Sequence, residues 1–482
     1  MIAIRVNVTV KDYHMAPDRT SPAKAAARSG MFVTGDGRNV ALTFILISSL
    51  FLLWGFCNGL IDVMDKHFQE ELGLTKAQSA WVQFAHYLGY FLMSVPAGWL
   101  AARIGYKGGI IAGLLIVAVG GFWFVPATAL DKQAALGGLS PQSTFAAYLA
   151  GVCIIATGLT FLETVANPYA TVLGDRRYAA TRINLAQSLN GFGWIFGPAV
   201  GSVFFYSVDA SGRRTGSQRL YIPYLAIAAV VLVLAVIFYL ARVPDIKAEN
   251  EHEAGSSGSR SFWSEPHFCG AVAAQFFYVA AQAGIFSFFI NYMTEQTPPI
   301  PLWWESTLSG SSSHAGLLGS WLEGWLAPIR TGTLAISDKG AANLASFAFL
   351  FFIAGRFTGA MLLKKIPAHR GLAFYAIANV AATLLVFLKL GWLSVACVFL
   401  TYFFMSIMFP TIFALGIFGL GARAKRASSY IVMAIVGGAL VPKLMGYIAD
   451  RYDMSRGFAV PMLCFALVAL YGFCWPKLRD QS

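Results

Sequence analysis

Long apolar blocks separated by short polar segments make up most of the chain. Each block holds about 20 residues or more, which is the length an α-helix needs to cross a bilayer. The twelve blocks are 41–62, 79–101, 108–128, 144–173, 183–206, 221–241, 268–293, 341–363, 371–389, 391–418, 428–448 and 457–475. A transmembrane barrel would show short alternating segments instead. The pattern therefore predicts an all-α membrane protein with twelve transmembrane helices.

Two pairs of similar segments divide these blocks into two sets of six. The segment "PYATVLG" at Pro168 resembles "PTIFALG" at Pro410, and "GWIFGP" at Gly193 resembles "GGALVP" at Gly437. Both pairs are separated by about half of the 482 residues. Two parallel six-helix halves are a recurring plan of secondary transporters, whose substrate site lies near the bilayer midplane between the halves.

The polar segments outside the blocks define the predicted domain boundaries. These are a poorly ordered cytoplasmic tail at 1–38, an N-terminal half at 39–242, a Gly/Ser-rich cytoplasmic linker at 243–266, and a C-terminal half at 267–476 with a long outer loop at 294–338. In this loop, "GLLGSWLEGWLAP" (316–328) predicts a short amphipathic helix on the outer membrane surface. A lid over the outer mouth of the protein is the alternative.

The composition and the charge pattern exclude several classes of protein. The chain is 57% hydrophobic and only 12% charged, whereas a soluble domain carries about twice that share of charge. The net charge of +12 does not indicate nucleic-acid binding, because Lys and Arg alternate between loops. The side that holds both termini collects about twice as many of them as the other, which predicts cytoplasmic termini.

No enzyme motif and no cofactor site is recognisable. The seven His are scattered, without a metal-ligand cluster or a nucleophile beside a base. All six Cys lie within apolar blocks, which indicates reduced thiols rather than disulfides or a zinc site. We therefore expect no cofactor and no metal.

Two acidic residues lie inside apolar blocks, Asp62 and Glu163. A charge at membrane depth is costly unless it faces a water-filled cavity or a partner, and desolvation favours the protonated acid. We interpret both as proton-binding residues on a transport path; a hydrogen bond that only stabilises packing is the alternative. For Asp65 we expect a solvated helix end and pairing with Lys66 or His67.

Other polar side chains recur at similar depth. They are Asn58, Gln83, His86, Tyr87, Tyr90, Asn167, Gln187, Asn190, Gln275, Tyr278, Gln282 and Asn291. Side-chain amides beside aromatic rings suit a polyhydroxylated ligand with apolar C–H faces. Hydrogen bonding between helices explains any single one equally well. As a set between two halves, they favour a sugar site.

Eight segments resemble one known family. They are "FLLWGFCNGLID" (51–62), "LGYFLMSVPAGWLAARIGYKGGIIAGL" (88–114), "LETVANPYATVLG" (162–174), "RINLAQSLNGFG" (182–193), "AQFFYVAAQ" (274–282), "FFIAGRFTG" (351–359), "FMSIMFPTIFALGI" (404–417) and "SSYIVMAIVGGALVPKLMGYIAD" (428–450). They are similar to the L-fucose:proton symporters of the major facilitator superfamily. The likeness covers nearly all of residues 40–475. The loop "GWLAARIGYK" resembles a superfamily motif, with Ala102 before Arg103 where Asp is usual.

This resemblance implies a proton-coupled symporter that imports L-fucose or a related monosaccharide by alternating access. It implies that Asp62 couples transport to protons and that Glu163 lies in the sugar cavity. The substrate-binding residues that the resemblance implies are Trp54, Glu163, Gln187, Asn190, Phe352 and Arg356. The polar pattern adds Asn58, Gln83, Asn167, Tyr278 and Gln282 to the predicted substrate-binding residues. The expected partners are a monosaccharide, a proton (or sodium) and the lipid bilayer, with no nucleic acid. The expected form is a multi-pass monomer in a bacterial inner membrane.

Some positions depart from the fucose symporters. Gly59 replaces an asparagine, Phe286 a tryptophan and Phe409 a tyrosine. The hexose and N-acetylglucosamine branches of the family resemble "LQVAANPY" where this chain has "LETVANPY", so Glu163 favours the fucose-like branch. Sodium coupling and a hexose or N-acetylhexosamine substrate remain alternatives. A membrane sugar sensor that does not transport is an alternative from another class.

Overall fold

The computed structural model describes residues 31–34, 37–135, 140–174, 179–206, 219–241, 261–301, 324–329, 333–363, 365–420 and 424–480. Most of these residues are helical. Within the described part of the chain, ten helical segments are long and apolar enough to cross a membrane. The six cysteines are unpaired.

The described residues of the N-terminal half form six helices. They are α1 (Ala41–Leu72), α2 (Lys76–Ser79), α3 (Trp81–Ala135), α4 (Pro141–Val172), α5 (Ala179–Phe204) and α6 (Tyr221–Leu240). Helix α3 includes two predicted spans, joined at Gly105, where φ is 76°. A positive φ interrupts helical geometry and is readily adopted by glycine.

The C-terminal half has more helix breaks. Its helices are α7 (Pro266–Ser287), α8 (Phe289–Gln296), α9 (Asp338–Leu362), α10 (Ala368–Phe387), α11 (Trp392–Met405), α12 (Met408–Gly416), α13 (Ala424–Met433), α14 (Gly437–Arg451), α15 (Met454–Gly457) and α16 (Ala459–Asp480). Three-residue 3₁₀ helices precede α7 (Phe262–Ser264) and join α13 to α14 (Ala434–Val436). We call the bundle end with residues 73–80, 388–391 and 452–453 the far end, and the opposite end the termini end.

Helices α1 and α5 pack backbone to backbone through two small-residue motifs. Gly55 and Gly59 are spaced four apart on α1, as are Gly193 and Gly197 on α5. A Cβ atom on Gly193 would overlap the carbonyl oxygen of Leu52, and one on Gly197 would overlap Gly59. Small residues at such spacing let membrane helices approach closely.

The C-terminal half repeats this contact. Gly437 begins α14, and a Cβ there would overlap the carbonyl oxygen of Phe276 on α7. Gly193 and Gly437 are the matched glycines of the sequence repeat, and each lies against the first long helix of its own half. Each is also followed by a proline within the helix, Pro198 or Pro442. The packing thus supports the predicted pair of related halves.

The loop between α8 and α9 forms a small antiparallel sheet where it is described. Strand β3 (Thr333–Ile336) lies between β1 (Ile300–Pro301) and β2 (Leu326–Ile329). The predicted amphipathic helix at 316–328 is therefore wrong for its last three residues, which pair as a strand. The remainder of that segment up to residue 323 lies outside the described residues.

The N-terminal segment contributes one ordered turn. Residues 31–34 and 37–40 fold back through an isolated bridge between Val33 and Asn39. Fully buried Arg182 donates from Nη1 to Met31 O at 3.0 Å and from Nε to Ala170 O at 3.1 Å. The end of the expected tail is thus attached to the N-terminal half. Residues 1–30 and most of the linker at 243–266 lie outside the described residues.

Candidate functional site

A polar stripe runs along α1 toward the far end. Asn58, Asp62, Asp65 and Gln69 are spaced by four, three and four residues, which places them on one helix face. Asp62 is 7% exposed, and its Oδ1 atom accepts a hydrogen bond of 3.0 Å from Gln83 Nε2 on α3. The Asp62 Oδ2 atom and the Asn58 Oδ1 atom have no hydrogen-bond partner in the described part of the chain. Asp62 therefore keeps one oxygen available for a proton.

The position of Asp65 contradicts the sequence prediction. We expected a solvated helix end, yet Asp65 is 0% exposed. Lys66 pairs with Glu70 instead and lies 3.8 Å from Asp338. His67 Nδ1 contacts a backbone carbonyl just after α5 at 3.0 Å. The expectation failed because α1 continues for about two turns beyond Asp65.

A second polar group joins α4 to α5. Gln187 Nε2 donates to Asn167 Oδ1 at 3.0 Å, and Asn167 Nδ2 donates to the backbone oxygen of Glu163 at 3.0 Å. One turn after Gln187, Asn190 donates from Nδ2 to Phe51 O on α1 at 3.2 Å. The three amides are thus held in position by each other and by backbone carbonyls.

Glu163 lies beside aromatic side chains of the N-terminal half. It is 8% exposed and borders a small hollow together with Trp54. The Trp54 indole donates to Tyr90 OH at 2.7 Å, and the Tyr90 ring lies 5.1 Å from the ring of His86. The structure therefore brings the carboxyl of Glu163 and the ring of Trp54 together at one hollow.

The predicted residues of the C-terminal half surround the break between α11 and α12. Arg356 on α9 places its Cζ atom 4.8 Å from the Phe352 ring centroid, and its Nε donates to Ser406 O at 3.4 Å. The Tyr278 hydroxyl on α7 donates to Met405 O at 3.0 Å. Since both backbone oxygens lie where the helix is interrupted, these side chains stabilise the break.

An aromatic cluster crosses the boundary between the halves. Trp194 on α5 packs against Phe286 on α7 and Phe349 on α9, with ring centroids 5.5 and 5.0 Å away. Tyr402 on α11 stacks on Phe286 at 4.6 Å. Phe286, which departs from the family's tryptophan, therefore belongs to the contact between the halves.

Tyr87 lies within the polar site, although the sequence pattern indicated only a polar residue at this position and not a site residue. It lies on α3, close to the carboxyls of Asp62, Asp65 and Glu163 and to Tyr278 of the other half. Its ring packs on Gly438 of α14. The spacing of Gln83, Tyr87 and Tyr90 by four and three residues places them on one helix face, and this was the signal that could have identified it.

Gln275 and Gln282 are two further predicted polar residues, both on α7. Gln282 is half-buried on α7, whereas Gln275 is fully buried and its amide has no hydrogen-bond partner among the residues that the structure describes. Within the same residues, no group of three or more His, Cys, Asp or Glu side chains could hold a metal ion.

The two halves are in direct contact at the far end. The Asp450 carboxylate on α14 accepts hydrogen bonds from the backbone N–H groups of Lys76 and Ala77 on α2, at 2.9 and 2.8 Å. The Lys76 ammonium lies 3.1 Å from Glu295 on α8. These contacts tie the α1–α3 connection to the C-terminal half.

Two further contacts between the halves, each involving a side-chain amide, lie closer to the membrane interior. Asn291 Nδ2 on α8 donates to Gln69 Oε1 on α1 at 2.6 Å. Ser202 on α5 donates to Asn343 Oδ1 on α9 at 2.7 Å. The polar site beneath them is therefore separated from the far end by paired side chains of both halves.

Comparison with known proteins places this architecture in a family. The family model described as Major Facilitator Superfamily matches residues 42–337. The L-fucose-proton symporter of Escherichia coli (strain K12) is 33% identical over 469 residues, covering 93% of this chain and 95% of that protein. The glucose/galactose transporter of Brucella abortus biovar 1 (strain 9-941) is 30% identical over 445 residues, covering 92% and 96%.

A solved structure agrees with these relatives. The crystal structure of the transporter FucP in the outward conformation is 32% identical, with a TM-score of 0.62 over 92% of this chain and 100% of that chain. The chain therefore belongs to the Major Facilitator Superfamily, and within it to the family of the L-fucose-proton symporters.

Proposed function

We propose that this protein is a proton-coupled symporter that imports L-fucose or a related monosaccharide by alternating access. The observation that carries the proposal is the pair of buried carboxyls, Asp62 and Glu163, beside amides and aromatic rings at the boundary of the two halves. Relatives from Escherichia coli and Haemophilus influenzae, 33% and 31% identical, are named L-fucose-proton symporters. The function is transport across a membrane and not enzymatic catalysis.

Asp62 is the proposed proton-coupling residue. A buried carboxylate without a positive partner is costly, and binding a proton removes that cost. Its bond from Gln83 leaves the Oδ2 atom available for this proton. Along α1, Asp62 also lies nearer to the far end than Asn58 and Trp54, so a proton that enters from the far end can reach it before them.

The sugar site in this proposal has one wall on each half. The N-terminal wall consists of Trp54, Asn58, Gln83, Glu163, Asn167, Gln187 and Asn190, and the C-terminal wall of Tyr278, Gln282, Phe352 and Arg356. Amides and a carboxyl can pair with sugar hydroxyl groups, while the rings cover the C–H faces. Internal bonds of Gln83, Asn167, Gln187 and Asn190 compete with bonds to the sugar, whereas Asn58 Oδ1 has no partner among the described residues.

The proposed orientation follows from the basic loops, which put both termini in the cytoplasm. The far end is then the outer surface, and its contacts close the site to the outside. Reopening requires that the two halves separate at Asp450 and at Gln69, as alternating access between related halves demands. A tag at either terminus should accordingly be protected from protease in intact cells; cleavage of the tag contradicts this orientation.

A glucose- or galactose-type substrate is the second candidate, since the 30% identical Brucella relative is named a glucose/galactose transporter. The departures from the fucose symporters give it support. Gly59 lies against Pro198 and the Trp194 carbonyl, with its would-be Cβ 3.0 and 3.1 Å from them, so no polar side chain extends from this position. Without the asparagine of the fucose symporters at this position, the site offers one polar contact fewer to a sugar. Its preference among sugars should therefore differ from theirs.

Uptake into proteoliposomes tests both the substrate and the coupling. We expect accumulation of L-fucose or a related hexose when an inward proton gradient is imposed, and none from a sodium gradient alone. A panel of deoxyhexoses, hexoses and N-acetylhexosamines identifies the substrate. Sugar binding without uptake indicates a sensor, and accumulation driven by sodium refutes proton coupling.

A further inference from the structure

A third buried carboxyl, Asp65, has no part in the function described so far. It is fully buried within α1, and neither of its oxygens has a hydrogen-bond partner among the described residues. The ion pairs of those residues all involve other carboxylates. An ionised carboxylate in such a position is strongly disfavoured, so this group must hold a proton for part of the time.

The neighbours of Asp65 can exchange or stabilise a proton but supply no positive charge. Asp62 lies one turn earlier on the same helix, within about 5–6 Å at the Cβ atoms by helix geometry. Ser287, at the end of α7 in the other half, and Gln83 on α3 both face Asp65. The Ser287 hydroxyl is fully buried and, within the described chain, has no hydrogen-bond partner within normal distance.

The titratable groups around this pair are limited. Tyr87 on α3 faces both aspartates, and Tyr402 on α11 faces Asp62. The neighbouring Lys66 is turned toward Glu70 and Asp338. A proton on the pair is thus held by carboxyls and not displaced by an ammonium or guanidinium group.

Asp65 also lies between the closed far end and Asp62. One turn beyond Asp65, Gln69 accepts from Asn291 at 2.6 Å and donates to Ser79 Oγ at 2.8 Å. The order along the stripe is therefore the amide contact that joins the halves, then Asp65, then Asp62. When the halves separate at Gln69, Asp65 is the first buried carboxyl of α1 that outer water reaches.

We propose that Asp65 is a second proton-binding carboxyl of the transport cycle, which receives the proton from the outer side and passes it to Asp62. In the transfer, the O–H bond at Asp65 breaks, an O–H bond forms at Asp62 Oδ2, and the negative charge moves from Asp62 to Asp65. The proton is the only group transferred. The Ser287 hydroxyl can donate to the ionised Asp65. This inference rests on the proposed proton coupling at Asp62.

The test compares wild type with D65N in proteoliposomes, with E71Q as the matched control on the same helix. Asparagine keeps the shape of the protonated acid but cannot release a proton. We expect D65N to retain sugar exchange between two sugar-filled compartments and to lose accumulation under an inward proton gradient. E71Q should behave as wild type in both assays.

The wild-type measurement separates this inference from the proposed function. If sodium and not protons drives wild-type uptake, the proposed function fails and this inference fails with it. If protons drive the wild type and D65N still accumulates sugar equally well, only the role of Asp65 is refuted. Folded D65N that loses exchange as well as accumulation also overturns the relay, because that result places Asp65 in packing or sugar binding.

Infrared spectroscopy gives a readout that does not depend on recovering D65N. With aspartate labelled by ¹³C at the side-chain carboxyl, protonated aspartates shift their C=O stretching band. We expect a labelled protonated component to persist in D62N at neutral pH and to disappear in D62N/D65N if that variant folds. Absence of any such component in D62N contradicts a proton on Asp65.

Discussion

Asp450 on α14 caps the first turn of α2 from the opposite half, with its Oδ1 atom 2.9 Å from the backbone nitrogen of Lys76. The first N–H groups of a helix have no partner within the helix, and Asp450 satisfies two of them. Gly446, one turn earlier, permits this approach because a Cβ there would come within 2.9 Å of the Lys76 backbone. The closed far end thus depends on a backbone contact and not only on side chains.

Substituting Asp450 should therefore shift the protein toward the state that is open at the far end. Because both bonds are exposed, solvent screening limits their contribution to about 1 kcal/mol or less, and D450N weakens both of them in the closed state alone. Distances between spin labels on residues of the two halves at the far end should lengthen in D450N. D453N is the control, because the Asp453 bonds to Lys389 and to the Arg456 N–H stay within the C-terminal half. An unchanged distance distribution in D450N contradicts the capping role.

The α5 amides give a prediction about affinity. Gln187→Ala leaves Asn167 without its amide partner, and Asn190→Ala removes the bond to Phe51 O. If these amides also pair with the sugar, each substitution should weaken sugar binding by about 1–3 kcal/mol. Isothermal titration with purified protein measures this. If both folded variants bind the sugar with wild-type affinity, the two residues contribute to packing and not to sugar binding.

Asp62 and Glu163 should respond differently to substitution. Asp62→Asn mimics the protonated acid, so sugar binding and exchange should persist while accumulation against a gradient is lost. Glu163→Ala removes a carboxyl beside Trp54 and should impair sugar binding itself. Paired exchange and gradient-driven uptake separate the two effects. Accumulation by D62N under an inward proton gradient shows that the proton is carried elsewhere.

The matched glycines should be essential for packing. A methyl group on Gly193 overlaps Leu52 O, and one on Gly437 overlaps Phe276 O. Overpacking costs about 1–3 kcal/mol or more, so G193A and G437A should each lower the melting temperature of the purified protein. Gly98→Ala is the control, because its Cβ would lie at an ordinary 3.7 Å from Thr164. Equal melting of all three variants refutes the close backbone contacts.

The ion pair between Asp453 and Lys389 should make stability at the far end depend on pH. Partial burial raises the pKa of Asp453, but hydrogen bonds from Lys389 and from the Arg456 N–H more than offset it and hold the pKa below its usual value. A carboxyl with a lowered pKa in the folded state adds stability above its unfolded pKa. That stability is lost as the pH falls through the folded pKa.

D453N should accordingly destabilise the protein at neutral pH, and by less than about 1 kcal/mol because Lys389 is nearly half exposed. The difference from wild type should shrink and then disappear as the pH falls through the lowered pKa of Asp453 in the folded state. Thermal unfolding in detergent across a pH series measures it. A constant difference at every pH contradicts a role for the Asp453 charge.

The membrane-spanning helical architecture and the relation between the halves were predictable because both depend on local patterns. Apolar length identifies a span whatever its neighbours are, and the repeated glycines lie where each half needs its closest helix contact. The polar site was predictable for a similar reason: Glu163 and Gln187 interrupt apolar runs, and such interruptions are costly without a partner.

Asp65 and the loop sheet were not predictable from the same signals. The apolar block ends near Asp62 because the next residues are charged, yet α1 continues, and helices of both halves bury its end. Burial of that kind depends on tertiary neighbours such as Ser287, which is more than 200 residues away in the sequence. The strand at Leu326 likewise depends on pairing with Ile336, which an amphipathic pattern does not reveal.

The glycine contact between α1 and α5 has a consequence for how coupling can operate. Because the two backbones touch, these helices cannot slide past each other, and the α1 carboxyls and the α5 amides form one rigid unit. The proposed proton-binding and sugar-binding residues of α1 and α5 then move together. Binding of one ligand therefore cannot affect binding of the other through a shift of α1 against α5. Proton binding and sugar binding must then affect each other through the contacts with the opposite half, which differ between the two states. Coupling would then be a property of the moving boundary, and variants that loosen this boundary should leak protons even when every binding residue is intact.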